Sequence, residues 1–351
     1  MRHVRKLAYC LAAAIPVAAL AACSSGGSGS GTGATAPPEQ SNITIDVVPT
    51  ADAAGLYIAY DNGFFRQQGI NLKIVTIGGG EYGMGDLQTG KAQLVEGNYV
   101  SFILAQIAGT FAAPNPSNPA ATLPAKPINM RMIADTSQLQ AGNQALYVLP
   151  DSPYKSVADL VKDHVTVGVN TLHNIGSVLL GSLLVADGYQ PGALRQVPEV
   201  LPNMPELLEK HAIAAAWLPE PFGTEAEQEY GAVQLADFDQ GSLQSFPIGT
   251  IVGNTPWVQS HPKTVAAFLH AFQEGQQVAD TDRAAVEQAL LQNKAIPSAE
   301  IGATMTLDTY PLVMDVPVMQ RVPDAMLQFG VIGKAYDVAS MIEPEPGEIT
   351  K

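Results

Sequence analysis

Three arrangements of residues could do chemistry. Gly78, Gly80 and Gly83 satisfy G-x-G-x-x-G between strand-forming residues and a helical piece, the spacing of a dinucleotide fingerprint. A lone match is weak, and such glycines serve equally to line a cleft with backbone N–H groups where Glu81 and Tyr82 reach a ligand. Gly90-Lys91 lacks the glycine and Ser/Thr spacing of a phosphate loop and reads as a surface turn. The second arrangement is Val165 to Tyr189, read as strand, ligand-facing turn and helix. Val165, Val167 and Val169 alternate as a half-buried strand does, and the chain turns at Asn170-Thr171. Thr171, His173, Asn174, Ile175, Gly176 and Ser177 then open an apolar helical run, whose free N–H groups hold a polar or anionic ligand without a dedicated cation. The third is the set of histidines 164, 173, 211, 261 and 270, scattered without metal spacing. Only His173 is placed for ligand contact, with an ordinary turn residue as the other reading. Binding is expected here, without catalysis, cofactor or metal.

These groups need elements to hold them. Ile43, Ile45, Val47 and Val48 form a strand stopped by Pro49-Thr50, and Ala53 to Tyr60 is helical. Leu72, Ile74 and Ile77 supply the next strand, Tyr82 to Thr89 a helix, and Ala92 to Gly97 another strand. Alternation of this kind predicts an α/β layered fold with parallel strands. Thr50, Asp52, Tyr57, Gly80, Tyr82, Asn98 and Tyr99 fall at or just beyond the strand ends, where open parallel sheets place ligands. Trp217 and Glu220 follow a short apolar strand read at Ala212 to Ala216 and are expected at the same cleft.

Residues 1–22 carry Arg2, Arg5 and Lys6 before an apolar run too short for a membrane span, and read as a signal peptide. Leu20-Ala21-Ala22-Cys23 resembles the bacterial lipobox, which implies diacylation of Cys23 and a membrane anchor, each buried CH₂ contributing about 0.8 kcal/mol. Cys10 leaves with the leader, so thiolate catalysis, cysteine-ligated zinc, iron–sulfur chemistry and disulfides are excluded for the mature chain. Residues 23–40, rich in Ser and Gly, are expected to tether the folded part. The formal charge of −15 becomes more negative once the leader's cations go, which argues against nucleic acid as a partner. Roughly 310 residues remain, enough for two lobes.

The run Ala59-Tyr60-Asp61-Asn62-Gly63-Phe64-Phe65, followed by Gln68-Gly69-Ile70-Asn71-Leu72, resembles a signature of nitrate, alkanesulfonate, taurine and thiamine-pyrimidine-precursor binding proteins of ABC importers. Leu87 to Ala92, Ser156 to Leu160, Pro202-Asn203-Met204, Ala215 to Phe222 and Pro262 to Phe272 match further family segments in the same order. Gln93 and Ala214 stand where the family commonly has Asp. The resemblance implies a two-lobed periplasmic-binding-protein fold of type II, with two crossovers and the ligand cleft between the lobes. Lobe 1 would comprise 41–136 plus 250–340, lobe 2 would comprise 137–249, and 341–351 would be a tail. Asn254, at the return crossing, joins the expected ligand contacts. The loop Phe111 to Pro127 is longer than the family usually carries.

The implied function is that of a monomeric, lipid-anchored, extracytoplasmic binding protein that captures a small molecule and hands it to an ABC permease and its ATPase. Tyrosines, one Trp and an acid at the cleft, with no Arg in a cleft turn, favour a thiamine-pyrimidine-like heterocycle, with sulfonates or other small organic anions next. The alternatives are an enzyme on the same fold or a ligand-sensing receptor without transport.

Overall fold

A computed structural model describes residues 37–108 and 127–343. The expected leader, the Cys23 lipidation site, the tether before residue 37, the loop before Pro127 and the tail after Glu343 lie outside the described residues.

Among the described residues, ten strands form two sheets. The first contains β1 (Asn42–Val47), β2 (Asn71–Thr76), β3 (Leu94–Asn98), β4 (Met130–Gln138) and β10 (Pro247–Asn254), in the order β2-β1-β3-β10-β4. The second contains β5 (Gln144–Val148), β6 (Thr166–Val169), β7 (Arg195–Pro198), β8 (Ala215–Pro219) and β9 (Val233–Asp237), in the order β7-β6-β8-β5-β9. Strands β1, β2 and β3 pair in parallel, as do β6, β7 and β8, while β10 and β5 run antiparallel to both neighbours. The chain leaves the first sheet after Gln138 and returns to it at Pro247, so it crosses between lobes twice.

Burial explains the strand readings. In β1 the outer end alternates between exposed and buried, which makes period 2 visible, whereas every residue of β5 and β8 is buried. Central strands covered on both faces read as continuous apolar runs, so their limits blur in sequence. The strand read at Ala212 to Ala216 is for this reason displaced: β8 begins at Ala215 and contains Trp217.

In lobe 1 the helix Ala54–Asp61 packs on the long helix Pro262–Thr281, with Leu56, Phe268 and Phe272 in the shared core. The helices meet at glycine: a Cβ on Gly275 would lie 2.2 Å from the Gly55 carbonyl oxygen and 2.7 Å from Ala59 Cβ. Gly275→Ala is expected to cost about 1–3 kcal/mol through overpacking, read as a lowered urea midpoint with an unchanged slope. The tether read through Gln40 also ends earlier than expected. Glu39 accepts from Thr264 N (2.8 Å) and Lys263 N (3.1 Å), capping the first turn of the long helix, where N–H groups lack intrahelical partners.

Candidate functional site

The carboxyl ends of the parallel strands of both sheets meet at one cavity, whose empty space is about 390 Å³ with its opening to solvent included. Lobe 1 supplies Val48, Thr50, Asp52, Gly79, Gly80, Gly97, Asn98 and Ile248. Lobe 2 faces them with Gln144, Asn170, Ile175, Leu201, Trp217 and Pro219. Loops after parallel strands deliver polar groups to this edge because that is where the strands' connections emerge.

The lobes are in contact around the cavity. Thr171 Oγ1 donates to Glu81 Oε1 across the gap at 2.5 Å, and Ser101 Oγ donates to the other oxygen at 3.2 Å. Asn174 Nδ2 donates to Ser101 Oγ at 2.9 Å, while Asn174 Oδ1 caps the helix Ile175–Ala186 through Ile175 N at 2.8 Å. At the hinge side Ala51 N donates to the Glu220 carbonyl oxygen at 3.2 Å. Glu81, only 1% exposed, sits among hydroxyls, with no cation beside it among the described residues. Burial therefore pushes its carboxyl above the usual range, against the pull of the Thr171 and Ser101 donors.

Of the residues expected at the cleft, Thr50, Asp52, Gly80, Asn98, Ile175 and Trp217 line the cavity. Glu81, Thr171 and Asn174 form the lobe-to-lobe bonds, and half-buried Tyr82 lies beside Thr171. Gly176 brings the Ile175–Ala186 helix onto the indole: its Cβ would lie 2.9 Å from the Trp217 ring.

Other expectations are corrected. Tyr57 lies inside the lobe 1 core, on a helix one turn past the strand end. Tyr99 is fully buried and donates to Asp135, since the helix it opens folds back over the sheet. Exposed His173 takes a left-handed turn (φ 58°) away from the cavity wall. Ser177 donates to Gln196 at 2.5 Å, one helical step too far round. The Glu220 carboxylate turns back onto Thr224 N (3.1 Å) and Oγ1 (2.8 Å) at the start of the next helix, and burial raises its pKa to about 7. Asn254 pairs with Met130 at the far end of the sheet, because β10 runs antiparallel and only its first residues reach the cleft.

Sequence reasoning missed Val48, Gly79, Gly97, Gln144, Asn170, Leu201, Pro219 and Ile248. Asn170 and Gly79 carried a visible signal, as residues of the turns that end β6 and follow β2. Ile248 reaches the wall beside a register shift of β10 between Pro247 and Gly249, a bulge that no periodicity marks.

The NMT1-like family model matches residues 36–292, which spans most of both lobes. The chain belongs to the NMT1-like family. This NMT1-like chain shares its fold with solved structures of low identity. The ligand-binding component of an ABC-type import system from Staphylococcus aureus, solved with zinc bound, superposes with a TM-score of 0.68 at 15% identity, covering 87% of this chain and 97% of that one. The periplasmic nitrate-binding protein of Synechocystis PCC 6803 gives 0.70 at 16% identity, covering 86% and 85%. A desulfurization enzyme gives 0.60 at 15% identity, covering 87% and 97%. At such identities the likeness establishes the periplasmic-binding-protein fold. No curated protein sequence matches the chain significantly.

Proposed function

We propose that the protein is an extracytoplasmic solute-binding lipoprotein that closes its lobes on a small molecule and delivers it to an ABC permease and its ATPase. The observation that carries this reading is the cavity itself, walled by both lobes of a chain that crosses between them twice. A ligand touching both walls binds the closed arrangement better and shifts the population toward it. Binding components of the same fold, one for nitrate and one from an ABC-type import system, support the reading.

A thiamine-pyrimidine-like heterocycle is favoured over a sulfonate or other small organic anion. The Trp217 ring, with Ile175, Leu201 and Ile248 around it, offers a flat apolar wall. Native mass spectrometry of the purified protein, followed by thermal-shift screening of pyrimidines, sulfonates and nitrate, tests the reading. A molecule that binds and is recovered unchanged is the expected result. Chemical change of that molecule would transfer the function to the enzyme class.

Anchoring through Cys23 has its own test. Cys23→Ser is expected to abolish palmitate labelling and to move the protein from the membrane fraction to the soluble extracytoplasmic fraction, since one lost signal removes both acyl chains.

A further inference from the structure

The electrostatics of the cavity floor deepen the proposed solute-binding role. Asp52 is the one carboxylate that lines the cavity among the described residues. Ser137 Oγ donates to Oδ1 at 2.6 Å and Thr50 Oγ1 to Oδ2 at 2.7 Å, which fixes the group's orientation but leaves acceptor capacity on both oxygens. Behind it, fully buried Glu96 accepts from Val48 N at 3.1 Å through Oε2, while Oε1 has no partner. The Tyr57 hydroxyl, also buried beside this group, has none either. Asp308 Oδ1 accepts from Asn143 Nδ2 at 2.5 Å, and its buried carboxyl, held well above the usual range by burial and by the neighbouring Asp52, shares a hydrogen bond with Asp52. On the opposite wall Asn170 is 8% exposed and its Oδ1 lacks a partner.

Among the described residues no Lys, Arg or His lines the cavity, and none of the ion pairs touches its wall. Buried acceptors without donors are costly, and buried carboxylates without cations more so. The Asp52 carboxylate lacks a cation and the facing Asn170 carbonyl lacks a donor, and a donor-rich positive charge supplies both. An anion placed here would face the Asp52 carboxylate directly, with no cation among the described residues to offset it, while Glu96 and Asp308 behind it are pushed well above the usual carboxylate range by burial and by Asp52.

We propose that the cavity takes a small molecule with a cationic nitrogen head, an ammonium, amidinium or protonated amino-heterocycle, seated on the Asp52 carboxylate. The rest of the ligand lies along Trp217 and Ile175. This assignment rests on the solute-binding reading and goes beyond it, because it excludes anions of the nitrate and sulfonate type.

Pairs of probes that share a shape and differ in charge test it. The purified full chain is titrated with guanidinium against urea, benzamidine against benzamide, and with 4-aminopyrimidine, nitrate and methanesulfonate, by calorimetry and thermal shift. The expected result is at least a tenfold preference for the cation within a pair, no binding of either anion, and loss of that preference in Asp52→Asn. Should Asp52→Asn fail to fold, Asn170→Asp is expected to strengthen the cation severalfold by adding a second carboxylate to the facing wall. Equal binding of urea and guanidinium, binding of either anion, or no response to any cationic probe overturns the proposal. Anion binding would leave the solute-binding role standing, whereas chemical alteration of a bound probe would remove that role itself.

Discussion

Acidification toward the ordinary carboxylate range will shift the protein toward its closed arrangement, and Glu81→Gln will hold it closed whatever the pH. The group responsible sits at the junction of the lobes. Thr171 from lobe 2 and Ser101 from lobe 1 donate to Glu81, Asn174 reaches the same cluster through Ser101, and none of the neighbouring elements brings a cation to it. Opening breaks the Thr171 bond and returns the carboxylate to water, so its pKa is higher in the closed state than in the open one. A raised value means that closure takes up a proton. The contribution to closure is therefore complete below the ordinary carboxylate range and is lost as pH rises through the closed-state value. Within that window each pH unit changes the closed-to-open ratio by up to tenfold, about 1.4 kcal/mol. Small-angle scattering of the ligand-free protein reads this directly: the radius of gyration is expected to fall on acidification in wild type and to be small and pH-independent in Glu81→Gln. A radius that grows on acidification would refute the coupling. Glu220 and Asp135, both pushed to about 7 chiefly by burial, give overall stability the same sign, so the melting temperature is expected to rise across the same interval.

Much of this architecture was legible in the residues, for identifiable reasons. Strands β1, β2 and β6 are short, carry alternating or β-branched residues and stop at Pro, Gly or Asn, so local pattern sufficed to locate them. The turn after β6 was legible because Asn170 and Thr171 break the alternating valines, and the structure caps the following helix with Asn174. Direction and face were not legible. Tyr57 and Tyr99 stand the right number of residues past a strand to reach the cleft, yet both point into core, and sequence distance does not distinguish these outcomes. Asn254 failed for a related reason, since nothing local tells that β10 runs antiparallel to β3 and β4, which carries its last residue to the far end of the sheet. Gln144 and Ile248 reach the cavity through pairings between distant segments, such as Thr250 with Ala134, whose hydrogen bond spans 116 residues. The buried acids Glu96 and Asp308 are invisible for the opposite cause: each looks like a surface carboxylate until the fold encloses it.

Trp217→Ala will be the most destabilising single change at the cleft. The indole lies on β8, the central strand of the second sheet, and is 3% exposed. One face is covered by Gly176, close enough that only glycine fits there, and Nε1 donates to Gln144 Oε1 at 3.2 Å. Truncation leaves a void that the flanking strands β5 and β6 cannot collapse to fill, because each is pinned by its own ladder. The expected cost is about 3–5 kcal/mol, read by urea unfolding. Trp217→Phe keeps most of the ring but strands the Gln144 acceptor, at a cost of about 1–3 kcal/mol. The two variants separate packing from polarity. If the indole serves as the ligand's wall, Trp217→Phe retains binding within a few fold, while Trp217→Ala loses it even where the protein remains folded. Equal loss of binding in both would instead assign the role to the Nε1–Gln144 bond, which orients Gln144 at the opposite margin of the same wall. That outcome would move specificity from the ring's surface to the amide it holds.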